Sequence, residues 1–180
     1  MSATLRTPLI LLIPFLLAGC AAGAAINDAF TPSLEILHEE FDNSTIVRQL
    51  PVSASKGIGD SWHTLGFEWS TKTPRTVFVT AGTRGITMVN ALAFNADGVM
   101  VTAIERASYY TETDKGWSES RFAMSIEDFL KIARAQDVKM RLSQGNDYSV
   151  SSFGPAHPNA SINTKFQPFT MKILELSERM

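Results

Sequence analysis

The sequence predicts an α+β fold in which a mostly antiparallel, curved sheet of about seven or eight strands carries helices on one face. Short strand-like runs separated by turn sequences fill most of the chain, and patterns with helical spacing are confined to three places. The runs also follow one another without the helix after every strand that a parallel sheet requires. With 180 residues, 44% of them apolar and 19% charged, the chain suits one folded domain and is too apolar to be mainly disordered.

A short helix is expected at the start of this domain. Four apolar residues have the 4-3-4 spacing of one helix face, namely Phe30, Leu34, Leu37 and Phe41. Thr31 and Pro32 resemble a helix start, and the polar residues 42–44 would end the helix.

The next part of the chain is predicted to be a meander of antiparallel strands. The strand-like segments are 45–52, 63–69, 76–81, 86–94, 99–104 and 117–124. Segment 86–94 is apolar on both faces, as expected for a central strand. The sequence Asn95-Ala96-Asp97-Gly98 predicts a hairpin turn after it, and a turn at 113–116 would fold 117–124 back onto the preceding strand.

A helix inserted between strands is expected at about 126–136. Ser125 can cap it, because Asp128 follows three residues later at the position where a capping box has its acceptor. Glu127 stands four residues before Lys131, which is the spacing of an ion pair on one helix face.

The chain is predicted to end with a hairpin and an amphipathic helix. Segments 138–142 and 148–153 are the strands of the hairpin. In the closing helix Glu175 stands four residues before Arg179, and Pro168 would lie in the first turn. Its apolar residues recur at 3-4-3-4 spacing: Phe166, Phe169, Ile173, Leu176 and Met180.

The first twenty residues carry the most specific signal in the chain. Arg6 is the only charge in the first 27 residues, and the apolar run 9–17 follows it and ends in small residues and the single cysteine. The sequence Leu17-Ala18-Gly19-Cys20 resembles the lipobox of bacterial lipoproteins. This resemblance implies a signal peptide over 1–19, cleavage before Cys20, and attachment of acyl chains to that cysteine.

The resemblance also implies where the protein resides. Lipoproteins retained at the inner membrane carry Asp after the acylated cysteine, whereas Ala21 follows here, so the outer membrane is expected. Segment 20–29 would be a flexible tether, and the domain 30–180 would face the periplasm with the acyl chains as its membrane contact. The alternative is an uncleaved helical anchor in the inner membrane, because 7–27 carries no charge and is long enough to span a bilayer.

Charge and motif spacing exclude several kinds of function. A formal charge of -2 leaves no basic excess to hold a nucleic acid backbone. No cofactor is predicted, because Gly57-Ile58-Gly59 lacks the third glycine of a dinucleotide loop. No metal ion is predicted either, since Asp42 stands four residues after His38, where a zinc-binding helix has its second histidine. The turn 95–98 would need a carboxylate at Ala93 to resemble a calcium loop.

Ser61 is the one candidate nucleophile. The sequence Gly59-Asp60-Ser61 resembles the nucleophile block of GDSL-type hydrolases, whose serine needs a nearby histidine to take its proton. In that family an Asp precedes the histidine by three residues, whereas Gly154 occupies this place before His157. We therefore assign no catalytic residue and expect Ser61 to belong to a turn.

The large aromatic residues have two interpretations. They either form an exposed surface for a partner or pack across strands within the sheet, and the second use is the commoner one in strands. The residues concerned are Trp62, Trp69, Trp117, Tyr109 and Tyr110.

Three classes of function remain. The first is a non-enzymatic accessory or interaction protein of the cell envelope, anchored through Cys20 and acting on an envelope protein. The second is a binding module whose curved sheet carries an apolar or lipid ligand, suggested by the 11 phenylalanines and by strands that are apolar on both faces. The third is a hydrolase that uses Ser61.

Overall fold

The computed structural model describes residues 32–85, 87–102, 105–106, 111–113 and 116–179. In chain order, the strands within these residues are β1 (Glu35–Glu39), β2 (Ser44–Ser53), β3 (His63–Ser70), β4 (Thr76–Arg84), β5 (Val89–Ala96), β6 (Val99–Thr102), β7 (Glu105–Arg106), β8 (Thr111–Thr113), β9 (Trp117–Ser125), β10 (Val138–Gln144) and β11 (Asp147–Phe153). The helices are α1 (Ile126–Arg134) and α2 (Asn163–Ser177). The predicted α+β class is confirmed, and strands dominate it.

The strands form two antiparallel sheets, and the prediction of a single sheet is wrong. The first sheet has the order β1-β2-β3-β4-β9, with the short strands β7 and β8 on the outer edge of β9, and the second has the order β11-β10-β5-β6. The predicted meander fails at one step, because β9 takes the place beside β4 that β5 would occupy. The chain leaves the first sheet at Gly85, whose φ of 98° is a conformation that favours glycine. The alternation of apolar residues along a strand predicts which of its side chains are buried. It does not predict which other strand will pair with it.

Serine side chains on β9 join the start of the second sheet to the first. The Ser118 hydroxyl donates to the Gly85 carbonyl at 2.5 Å and accepts from the Thr87 N–H at 3.1 Å. The Ser120 hydroxyl donates to the Val89 carbonyl at 2.8 Å. These hydrogen bonds satisfy backbone groups at the point where the chain passes between sheets and a strand ladder is interrupted.

The predicted hairpin at residues 95–98 is confirmed. Asp97 and Gly98 have φ values of 50° and 89°, and a two-residue type I′ turn requires positive φ at both central positions. The Asn95 side-chain oxygen accepts from the Gly98 N–H at 2.8 Å, so this asparagine stabilises the turn. The Asp97 carboxylate accepts from the backbone N–H groups of Gln136 and Asp137, which lowers its pKa and ties the hairpin to the chain after α1.

A strand, β1, stands where the short N-terminal helix was predicted. It pairs antiparallel with the first half of β2, and a turn containing Asn43 at a φ of 54° joins the two strands. Leu34 packs partly against the core, Phe41 is fully exposed in the turn, and Phe30 lies outside the described residues. Three spacings of apolar residues are too few to fix a helix when a neighbouring long strand can pair with the same backbone.

The predicted cap of α1 is confirmed, but the predicted ion pair on it is wrong. The Ser125 hydroxyl accepts from the Asp128 N–H at 3.1 Å. Lys131 pairs with the Asp128 carboxylate at 2.7 Å instead of with Glu127. The Ser125 hydroxyl also donates to the Asp128 carboxylate at 2.9 Å. This contact holds the carboxylate in place for Lys131, three residues later on the helix.

The closing helix α2 is confirmed, although it begins earlier than the sequence suggested. Because its first residue is Asn163, Pro168 lies in the second turn instead of the first, on the exposed side of the helix. Glu175 and Arg179 form the predicted ion pair at 2.6 Å. The predicted apolar face is buried at Phe166, Phe169 and Ile173.

Phenylalanine rings from both sheets and both helices fill the core. They are Phe67, Phe94, Phe122, Phe129, Phe153, Phe166 and Phe169. The Phe67 ring on β3 has its centroid 4.9 Å from that of Phe129 and 4.8 Å from that of Phe166. Both helices therefore pack against the first sheet through these rings. The side chains occupy the space in which a curved sheet would hold an apolar ligand.

Candidate functional site

The predicted acylation site, Cys20, lies outside the described residues, together with the signal peptide 1–19 and the tether 20–29. Helices that are long and apolar enough to cross a bilayer do not occur in the part of the chain that the structure describes. Acylation at Cys20 and the alternative helical anchor at 7–27 both stay predictions.

Asp60, in the segment that resembles a hydrolase motif, ties the loop 54–62 to the second sheet. Its carboxylate accepts from the Ser152 N–H on the edge strand β11 at 2.8 Å and from the Lys56 N–H of its own loop at 3.0 Å. The Ser55 hydroxyl contacts the same oxygen at 3.4 Å. The side chain therefore covers part of a sheet edge that would otherwise be unpaired and fixes the loop against it.

Ser61 has no base in this arrangement. Its N–H donates to the Val150 carbonyl at 3.2 Å, which continues the contact along β11. The neighbouring His63 uses both ring nitrogens elsewhere: Nδ1 is 2.8 Å from the Ser151 hydroxyl and Nε2 is 2.8 Å from the Ser149 hydroxyl. The structure thus places Ser61 directly after the turn 57–60 and brings two other serines to the histidine.

The His63 network is suited to joining the two sheets and poorly suited to catalysis. The ring is only 1% exposed, and this burial lowers its pKa to about 4, against the opposing effect of the Asp60 charge. Ser149 also accepts from the Gln144 side-chain amide at 2.7 Å. A serine bonded to a histidine is the core of a nucleophilic pair, but a base with such a low pKa is mismatched to neutral pH. In addition, Ser151 stands where a carboxylate would stabilise the protonated ring.

Sequence reasoning missed this network. Ser149 and Ser151 alternate along the predicted strand 148–153, so their side chains face the same side of it. Two hydroxyls on one strand face next to apolar residues indicate a buried polar partner, and this was the available signal.

The other two histidines lie far from one another. His38 is exposed on β1, and His157 pairs with the Asp137 carboxylate at 2.9 Å. Among the described residues, no three histidine, cysteine, aspartate or glutamate side chains come close enough to hold a metal ion.

The three tryptophans do not form one exposed surface. Trp69 is fully buried, and its indole N–H donates to the Pro74 carbonyl at 2.9 Å. Trp117 is half-buried on β9, whereas Trp62 is 62% exposed. Tyr109 and Tyr110 lie outside the described residues. Packing within the fold accounts for Trp69, whereas Trp62 is the most exposed of the three tryptophans.

The 54–62 loop presents two large apolar side chains to solvent. Ile58 is fully exposed, and it borders an open cleft of about 600 Å³ together with Trp62. Gly57 and Gly59 flank Ile58 with φ values of 109° and 83°, so the loop backbone depends on glycine at both positions. The result is an exposed apolar pair on a loop that Asp60 holds in place.

A smaller cleft lies between α1, α2 and the residues that follow β11, and we call it the helix cleft. Its volume is about 270 Å³. Two polar residues in its lining are Arg134, the last residue of α1, and Thr170 of α2. The apolar lining comes mainly from Ile132, Ala133, Phe153, Pro155, Phe166 and Met171.

Comparison with protein-family models and with curated proteins gives no match for this chain. Its function is therefore argued from its own residues.

Proposed function

We propose that this protein is a lipid-anchored lipoprotein of the bacterial cell envelope that acts by contact with an envelope protein. Acyl chains on Cys20 would hold it at the outer membrane, with the domain facing the periplasm. The sequence Leu17-Ala18-Gly19-Cys20 supports the anchor, because it follows an apolar run of signal-peptide type and uses the only cysteine of the chain.

The observation that carries the contact role is the exposure of Ile58 and Trp62 on the 54–62 loop. Single exposed apolar residues are common, but here two large ones border the same open cleft. The Asp60 hydrogen bonds fix the loop before any partner arrives, so binding costs little further ordering of the backbone. Tryptophan is also among the residues that contribute most to protein interfaces.

The other two classes of function have weaker support. A hydrolase would need a base for Ser61, and His63 is bonded to Ser149 and Ser151 instead. A binding module for an apolar ligand is favoured by the helix cleft, which is open to a ligand although the core is filled.

The native mass of the protein, gently extracted from the membranes of its own host, tests the anchor. We expect the mass of residues 20–180 plus acyl chains, and we expect no acylated species for a Cys20→Ser variant. The mass of an unprocessed chain that begins at Met1 would indicate the uncleaved helical anchor and would contradict the outer-membrane assignment.

A photo-crosslinking amino acid introduced at position 58 or 62 in intact cells tests the contact. The matched control is position 41, because Phe41 is also fully exposed but lies at the opposite end of β2. The 10 residues of that strand separate the two sites by roughly 30 Å. We expect a discrete adduct with one envelope protein from positions 58 and 62 and none from position 41. Equal labelling from all three positions, or none, would contradict a contact role for this loop.

A further inference from the structure

We propose that the helix cleft binds a single-chain amphiphile with an anionic head group, of which a fatty-acid carboxylate is the simplest example. This site depends neither on acylation of Cys20 nor on the contacts of the 54–62 loop. It rests on two features of the cleft, which are its size and its single charge.

The size of the cleft fits one chain. Its volume of about 270 Å³ is just below the range of roughly 300–1,000 Å³ in which drug-sized ligands bind, so it is too small for a lipid with two chains. Ile132, Phe153 and Phe166 provide apolar walls, and Met171 on α2 is 64% exposed. Methionine side chains adapt to ligands of varied shape, which suits a surface that receives a flexible chain.

The charge of the cleft selects the head group. Arg134 is the charged residue in its lining, and its exposed guanidinium forms no ion pair with any of the described residues. Lys131, one turn earlier on α1, is by contrast neutralised by Asp128. An apolar cleft with one cation and no acid in its lining favours an amphiphile with an anionic head over a neutral or cationic one.

The other polar side chains of the cleft do not compete with Arg134 for the head group. The Thr170 hydroxyl oxygen is buried, so a ligand in the open cleft does not reach it. Asn163 also lines the cleft, but its side-chain amide is engaged with the backbone of Gly154 and His157 and belongs to the wall. Gln167 is exposed and carries no charge. Arg134 is therefore the group that distinguishes an anionic head group from a neutral one.

The test uses the full chain in amphipol and a dodecanoate that carries a diazirine on its terminal carbon. Adducts are located by peptide mass spectrometry, and unlabelled dodecanoate, dodecanol and dodecyltrimethylammonium compete with the probe. We expect adducts within 132–135, 153–155 and 163–171, which contain the residues that line the cleft. Dodecanoate should compete at a concentration about fivefold lower than dodecanol, which is the scale of one exposed ion pair. Dodecyltrimethylammonium should compete least.

Variants identify the groups responsible. Arg134→Gln should remove the advantage of dodecanoate over dodecanol, whereas Arg84→Gln, on an exposed residue of β4, should leave it unchanged. Ala133→Phe should fill the cleft and abolish the adducts, and Ala91→Phe, at an exposed position of β5, is its control.

Two results would overturn the proposal. Adducts outside the cleft would show that the probe binds elsewhere. Equal competition by the three head groups, in the unaltered protein and in Arg134→Gln alike, would show apolar partition without a head-group site. Circular dichroism shows whether Ala133→Phe is folded. If it is not folded, the surface variant Arg134→Gln still tests whether the cleft selects an anionic head group. Neither result bears on the mass of the anchored protein or on crosslinking from the 54–62 loop.

Discussion

The Nδ1 atom of His63 on β3 lies 2.8 Å from the hydroxyl of Ser151 on β11, so a hydrogen bond of one buried ring crosses from the first sheet to the second. The ring is neutral at physiological pH because burial lowers its pKa to about 4. Protonation would place a charge between two serine hydroxyls inside the protein.

This relationship predicts a loss of stability in mild acid. The pKa of His63 is about 4 in the folded protein and 6.5 when solvated, so the unfolded chain binds the proton first as the pH falls. The contribution of neutral His63 to the free energy of unfolding is therefore complete above pH 6.5 and declines as the pH falls towards 4. It amounts to at most about 3 kcal/mol. Urea unfolding between pH 7.5 and 4.5 measures it.

A His63→Gln variant should flatten this pH dependence, because glutamine does not titrate. The carboxyls of Asp97 and Asp128 have a lowered pKa and lose their stabilising effect only as the pH falls below their ordinary 3.8, outside this window. An unchanged slope in His63→Gln would assign the acid sensitivity to another group.

Removal of the Asp60 carboxylate should release the 54–62 loop. Asp60→Ala leaves the Ser152 and Lys56 N–H groups without their acceptor, and we expect a loss of about 1–3 kcal/mol in the free energy of unfolding. Trypsin should then cleave after Lys56 faster than in the unaltered protein. The control is Asp147→Ala, whose carboxylate accepts from the adjacent Tyr148 N–H and from no other of the described residues. Equal cleavage in both variants would contradict the role given to Asp60.

The phenylalanine core predicts a large difference between buried and exposed rings. Phe129→Ala removes a ring packed against Phe67 and Phe169, and it should lower the free energy of unfolding by about 3–5 kcal/mol. Phe41→Ala, at a fully exposed turn, should change it by less than about 0.5 kcal/mol. Denaturant unfolding of the two variants makes the comparison, and similar midpoints would mean that Phe129 is not part of a packed core.

The cap of α1 predicts a smaller effect. Ser125→Ala removes the acceptor for the Asp128 N–H, and we expect a loss of about 1 kcal/mol. Ser125→Thr keeps a hydroxyl that can accept from the Asp128 N–H and donate to the Asp128 carboxylate, and it should recover much of the stability measured by thermal unfolding. Failure of threonine to restore it would show that the hydroxyl does not act as the cap.

The candidate sites differ in how far the sequence could predict them. The Cys20 prediction depends on adjacent residues and so can be read from one segment of the chain. Ile58 and Trp62 lie in a predicted connection between strands, yet their exposure depends on the Asp60 contact with β11, 92 residues further on. The helix cleft could not be predicted, because Arg134 and Thr170 meet there only when α1 and α2 pack together.

Local residue patterns were enough to predict several elements of the fold. Alternation at Leu65, Phe67 and Trp69 identified β3 and its buried face, and the Asp97-Gly98 pair identified a turn that needs positive φ. Three features emerge only in the folded chain: the pairing of β9 with β4, the division of the strands between two sheets, and the contact of His63 with Ser149 and Ser151. Side-chain periodicity and turn conformation arise from neighbouring residues. Strand partners and buried hydrogen bonds depend instead on contacts between distant segments, which no local pattern encodes.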